Sequence, residues 1–200
     1  MEVEMAIINK KLAFEDIEPG NQYTDCTFTT SMQAVRVSDV TFHQCQFEQD
    51  NFGGSEWLDC RFVNVSFANK RFEGSTFYRD QFESCQLIGT EFQENNWKDC
   101  VISGSQVDYA NFSSSKINRC RFDDASFKEV YFRYLKLVGG LKTSGCNFEG
   151  ASFVGTKLKG VDLSQSEFGY LEVNPDDLKG LIINQFQAAS LIGLLGVKIK

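Results

Sequence analysis

The chain has 200 residues, 27 acidic against 20 basic, for a net charge of −7, and it carries 19 Phe beside two Pro, two Trp and one His. That balance argues against direct binding to nucleic acid or an anionic membrane, and a single histidine excludes multi-histidine metal sites. The 42% apolar fraction is enough for a core, while no apolar run approaches the ~20 residues that cross a bilayer.

The N-terminal segment lacks the basic-then-apolar layout of a secretory signal, so a cytoplasmic protein is expected. Leu12 and Ile17, then Tyr23 and Phe28, form irregular first turns, with Pro19-Gly20 marking a turn between them. From Met32 to Leu137 every fifth residue is large and apolar, 22 positions in all, of which 13 are Phe. Two residues before most of these stands a small or short-branched residue, such as Val40, Ser55, Val65 or Ala110. The exceptions include Asp50 and Asp80, which should therefore be partly buried.

A helix would smear a five-residue period around its circumference. An unbroken strand would send alternate members to opposite faces. A short extended segment, with its small and large residues pointing inward and two polar residues turning the chain, satisfies the period. Repetition then coils the backbone into a tube filled with stacked Phe, a polygonal β-solenoid. All seven cysteines (26, 45, 60, 85, 100, 120 and 146) fall in the small inward slot. They read as compact hydrophobes rather than as redox or metal groups.

His43 is outward-facing and has no implied nucleophile or base, and no phosphate loop is present, so no catalytic, metal or cofactor site is expected. Leu137 to Phe148 spans eleven residues where ten would fit. Gly139-Gly140 there suggests a bulge near 138–147. The register then runs through Phe153, Leu158, Leu163, Phe168 and Val173 toward Ile183. The solenoid is thus assigned to 1–183 and a capping and dimerisation segment to 184–200. In the latter, Asn184 is the expected N-cap, Gln185 to Leu195 a short helix and Gly196 its stop. Phe186, Leu191, Ile192, Leu194 and Leu195 cover more than one helix face, so one side should cap the last coil and the other meet a second copy.

The unit small–polar–Leu/Phe–polar–polar resembles the pentapeptide-repeat proteins. The resemblance implies an all-β, right-handed quadrilateral β-helix with four units, about 20 residues, per coil, and about eight coils here. The tail Gln-Ala-Ala-Ser-Leu-Ile-Gly-Leu-Leu-Gly-Val (187–197) is similar to the C-terminal dimerisation helix of the Qnr-type quinolone-resistance proteins. This implies a homodimer that binds DNA gyrase and topoisomerase IV by DNA mimicry and protects them from fluoroquinolones. Gram-negative Qnr members carry two projecting loops important for protection, and no such insertion interrupts Met32 to Leu137 here. The alternatives are immunity to a topoisomerase-poisoning peptide or natural product, and a generic solenoid scaffold.

Assigning residues 40–137 to four faces by position modulo twenty gives three acidic faces and one basic one. The first face is centred on Phe42, Phe62, Phe82, Ile102 and Phe122; the second on Phe47 to Phe127, the third on Phe52 to Phe132 and the fourth on Trp57 to Leu137. Glu48, Asp80, Glu83, Asp108, Asp123 and Asp124, on the first two faces, are the expected topoisomerase-facing acids. The fourth face, with Arg79, Lys98, Lys116, Arg119 and Lys136, should point away.

Overall fold

The computed structural model describes residues 6–197. Its body is a four-sided parallel β-solenoid closed by one short C-terminal helix. Along the first face, Ala6, Gln22, Thr41, Arg61, Gln81, Val101, Arg121, Lys142, Asp162 and Ile182 pair one above the next. Seven turns separate the first and last members that lie in strands, and two single bridges extend the ladder to Ile182. At ~4.8 Å per step the nine steps make a rod of about 43 Å.

The corners explain why a five-residue unit coils. From Gly54 to Gly139 every fifth residue, two places after each central one, has positive φ. Asn64, Asn69, Asp59 and Asp99 suit that conformation, but Arg79, Glu94, Tyr109, Arg119, Glu129 and Tyr134 adopt it too. Each such side chain costs about 1–2 kcal/mol there, so inter-coil pairing and ring stacking enforce the corner against local preference.

The first and fourth faces carry three-residue strands, among them Glu56–Leu58, Arg61–Val63, Thr76–Tyr78 and Gln81–Glu83. The third face is held by single bridges, as is the second beyond Ser66. Inside, rings stack in columns. The longest runs along the third face through Phe52, Phe72, Phe92, Phe112, Phe132 and Phe153, with centroids 4.8 to 5.3 Å apart. Phe77 and Trp97 stack at 4.1 Å on the fourth face. Offset stacks add about 0.5–1.5 kcal/mol each beyond the area they bury.

Two expectations fail at one place. Met32 is 96% exposed rather than central, and Asp50 is exposed rather than inward. The turn from Gln22 to Thr41 is one residue short of twenty, so the chain at 29–34 bows outward and leaves the third-face position empty. Phe14, off the five-residue register, fills it from the 3-10 turn Phe14–Asp16, packing against Phe28, Phe47, Phe52 and Trp57 at 5.8 to 6.4 Å. With no regular unit beneath it, Asp50 turns to solvent and meets Lys70 Nζ at 2.9 Å.

The turn from Arg121 to Lys142 has 21 residues, and its surplus sits opposite Arg119. Asn118 pairs with Val138 and Cys120 with Leu141, so Gly139 and Gly140 together face a single residue. Leu141 is buried in the small inward slot and Thr143 stands above Phe122.

Candidate interaction surfaces

Among the described residues no His, Cys, Asp and Glu cluster is placed to hold a metal, and no helix is long and apolar enough to cross a membrane. The cysteines are all buried and unbridged. Their thiols donate to backbone carbonyls, as Cys85 Sγ does to Phe62 O at 3.4 Å. Burial pushes the Cys45 and Cys85 thiols up to about 12, which removes the thiolate that redox chemistry needs. Cys85→Ala should cost about 1 kcal/mol. The native chain should resist iodoacetamide until denatured; prompt labelling of native protein would contradict this placement.

Asp80 is fully buried, so it leaves the set of partner-facing acids. It stands in the inward column between Cys60 and Cys100, where its carboxylate accepts from the amides of Cys60 at 2.8 Å and Tyr78 at 2.9 Å. Burial pushes its pKa up to about 8 against the pull of those two amides.

The outward acids of the first face are largely neutralised. Glu83 receives a two-pronged contact from Arg61 at 2.8 and 2.7 Å, and Asp123 meets Arg121 at 2.6 Å. Glu48, on the second face, pairs with Lys11 at 2.6 Å. At the corner between the fourth and first faces, Arg79 binds Asp59, and Arg119 binds both oxygens of Asp99 at 2.7 Å. Hydrogen bonds from Arg79, Arg119 and Arg61 hold the carboxyls of Asp59, Asp99 and Glu83 below their ordinary range. The two corner pairs each join opposite charges twenty residues apart, a pattern that a sum of charges per face conceals.

Several faces keep carboxylates without a salt-bridge partner among the described residues, Glu73 and Glu94 on the third and Asp162 on the first among them, and one row of them stands along the second face. Asp124 lies at the edge of the first and second faces. Asp108, Glu129, Glu149 and Glu167 continue along the second face in the C-terminal half. Asp108 is half-buried and accepts from Ser126 Oγ and the Lys128 amide, while the other four are exposed. Of the six acids expected to face a partner, only Asp108 and Asp124 belong to this row, and Glu149 and Glu167 stand C-terminal to residues 40–137.

The helix Gln185–Ile192, here α1, begins at Asn184, whose Oδ1 accepts from the amides of Phe186 and Gln187, and Gly196 ends the following turn at φ +73°. Its sequence gave no hint of how it plugs the rod. The buried Gln187 donates through Nε2 to Leu163 O at 3.0 Å and Ser166 O at 2.7 Å, and Asn184 Nδ2 donates to Ser164 O at 3.0 Å. Carbonyls that a further coil would have paired are thereby satisfied. Leu191 is buried beneath the helix and belongs to the cap, not to a face left open for a partner. Phe186 is 80% exposed, Ile192 and Leu194 are half-buried, and the Leu195 side chain lies outside the described residues.

Family models for a pentapeptide repeat region and for pentapeptide repeats in eight copies match residues 75–143 and 139–168. A search of curated proteins finds no sequence match. Among solved structures, a trypsin-treated variant of QnrB1, a plasmid-mediated fluoroquinolone resistance protein, superposes with a TM-score of 0.58 at 19% identity, covering 98% of each chain. Full-length QnrB1 aligns over 97% of this chain and 98% of its own at 17% identity, with a TM-score of 0.33. HetL, a pentapeptide-repeat protein of heterocyst regulation from the cyanobacterium Nostoc, aligns over 90% and 81% at 12% identity and 0.27. The first superposition fixes the fold; the other two are too loose to build on.

Proposed function

We propose, from the premise that the chain is a pentapeptide-repeat protein, that it is a non-enzymatic binding rod that docks on the basic DNA-binding surface of a type II topoisomerase and shields it from fluoroquinolones. The observation that carries this reading is the row of carboxylates without cationic partners along the second face, set on a rigid rod of about 43 Å. Duplex DNA of that length carries about 25 charges at one per ~1.7 Å. The chain's net charge of −7 supplies far less, so the fit rests on one concentrated face rather than on total charge. The fold is shared with a variant of QnrB1, a plasmid-mediated fluoroquinolone resistance protein, which supports a role in resistance.

The orientation differs from the one that face-by-face charge counting gives, because ion pairing neutralises Glu83 and Asp123 on the first face. In a gyrase supercoiling assay with ciprofloxacin, the wild-type chain should restore supercoiling. The pair Glu149→Lys and Glu167→Lys should weaken protection about tenfold, near 1.4 kcal/mol, and flatten its salt dependence. Lys98→Glu on the fourth face should change little, and equal losses from the two would sink this orientation. The exposed Phe186 is the anchor proposed for pairing two copies through α1, and Phe186→Glu should shift sedimentation to a monomer without lowering the melting temperature. Binding to a different basic protein, with no rescue of supercoiling, would favour the general scaffold.

A further inference from the structure

We propose that the glycine bulge at the corner between the fourth and first faces is a binding site for a phosphate group. This surface is distinct from the acidic second face, and the inference does not depend on the topoisomerase reading. Its two paired strands, Lys116–Asp123 and Lys136–Ser144, hold five cations (Lys116, Arg119, Arg121, Lys136 and Lys142) and one carboxylate, Asp123. In register, Lys116 lies directly beside Lys136, and Arg121 directly beside Lys142, which has Asp162 on its other side. Like charges at neighbouring-strand spacing oppose pairing, and they do so here in a chain with an excess of acids. An anion seated between them relieves that repulsion.

The geometry supplies the seat. Where Gly139 and Gly140 together face Arg119, a hollow of about 480 Å³ opens, bordered by Arg119, Arg121, Lys142 and the two glycines. The Arg119 guanidinium is fixed by Asp99 and that of Arg121 by Asp123, so both are held in place at its rim. Lys142 has no carboxylate partner within salt-bridge distance among the described residues. A bulge takes backbone out of the ladder, and glycines at φ +67° and +90° bend it into the kind of concavity in which successive amides receive an oxyanion.

Glycine suits 139, since a Cβ there would come within 2.7 Å of Arg119 Cγ. At 140 nothing lies within 4 Å, which leaves the hollow open. Two guanidiniums and an ammonium on the residues that border the hollow, beside a bent glycine backbone, suit a tetrahedral oxyanion with several acceptor oxygens better than a flat carboxylate. The volume exceeds that of one phosphate, so a phosphoester can be accommodated.

The test is an amide-resolved NMR titration with inorganic pyrophosphate at constant ionic strength. Saturable shifts are expected at Gly139 and Gly140. Lys142→Gln, an exposed change whose fold is checked by its melting curve, should weaken them about tenfold, whereas Lys10→Gln at the far end should not. A short DNA duplex displacing pyrophosphate from these amides would identify a nucleic-acid backbone as the source of the phosphate. Displacement by ATP alone would identify a small phosphoester. Shifts that never saturate, that centre elsewhere or that survive Lys142→Gln would overturn the site.

Discussion

Phe92→Ala is expected to lower the unfolding free energy by about 3–5 kcal/mol, the range for deleting a large buried aromatic side chain. Phe92 is fully buried in the middle of the six-ring column, 5.3 Å from Phe72 and 5.0 Å from Phe112, with Trp97 edge-on at 5.1 Å. Rigid backbone ladders lie on both sides, so the walls cannot collapse into the void. Denaturant unfolding measures the loss directly. Met32→Ala, five-residue register notwithstanding, should stay within about 0.5 kcal/mol of wild type, as exposed changes do. A similar loss at the two positions would mean that the rings do not form the continuous filling described here.

Asp80 supplies the second large effect, and its sign is the reverse of the usual carboxylate. Its folded pKa of about 8 stands above the ordinary 3.8. The unfolded chain therefore releases this proton first, and the stability associated with the neutral group is present at low pH and lost as pH rises from about 4 to 8. Asp80→Ser removes the titration while keeping an acceptor for the Cys60 amide, just as Ser105 Oγ accepts from the Cys85 amide at 2.9 Å. The variant should gain about 2–4 kcal/mol of stability relative to wild type between pH 5 and pH 8, up to ~1.4 kcal/mol per unit. A difference independent of pH would show that Asp80 is ionised in the folded chain.

The period of the repeat made the solenoid readable because it reports the one thing every coil shares, an inward ring on a short extended segment. What it could not report was local arithmetic. The 19-residue turn ejects Met32 and draws in Phe14, and nothing in the composition of either residue distinguishes them; only the step count between Gln22 and Thr41 does. Asp50 and Asp80 occupy equivalent places in the sequence unit, yet one lies over the missing position and the other between complete coils. The charged surface was harder still. Charges were summed by face, but Arg61 reaches Glu83 along its own face, and Arg79 and Arg119 reach Asp59 and Asp99 along an edge. Pairing of this kind depends on rotamers, which residue counts do not contain. The plug formed by Gln187 has no signature in the sequence, because its partners are backbone carbonyls, present at every position and brought together only in the last coil.

The extra residue at Gly139-Gly140 has a bearing on how such chains change length. Beyond it the ladder resumes twenty-residue steps, from Lys142 to Asp162 to Ile182, so the surplus is absorbed where it arises and no later side chain is rotated out of line. Growth of a single loop and growth of the whole rod are therefore separable events. A lineage can gain or lose one amino acid at such a joint while every remaining outward column keeps its address.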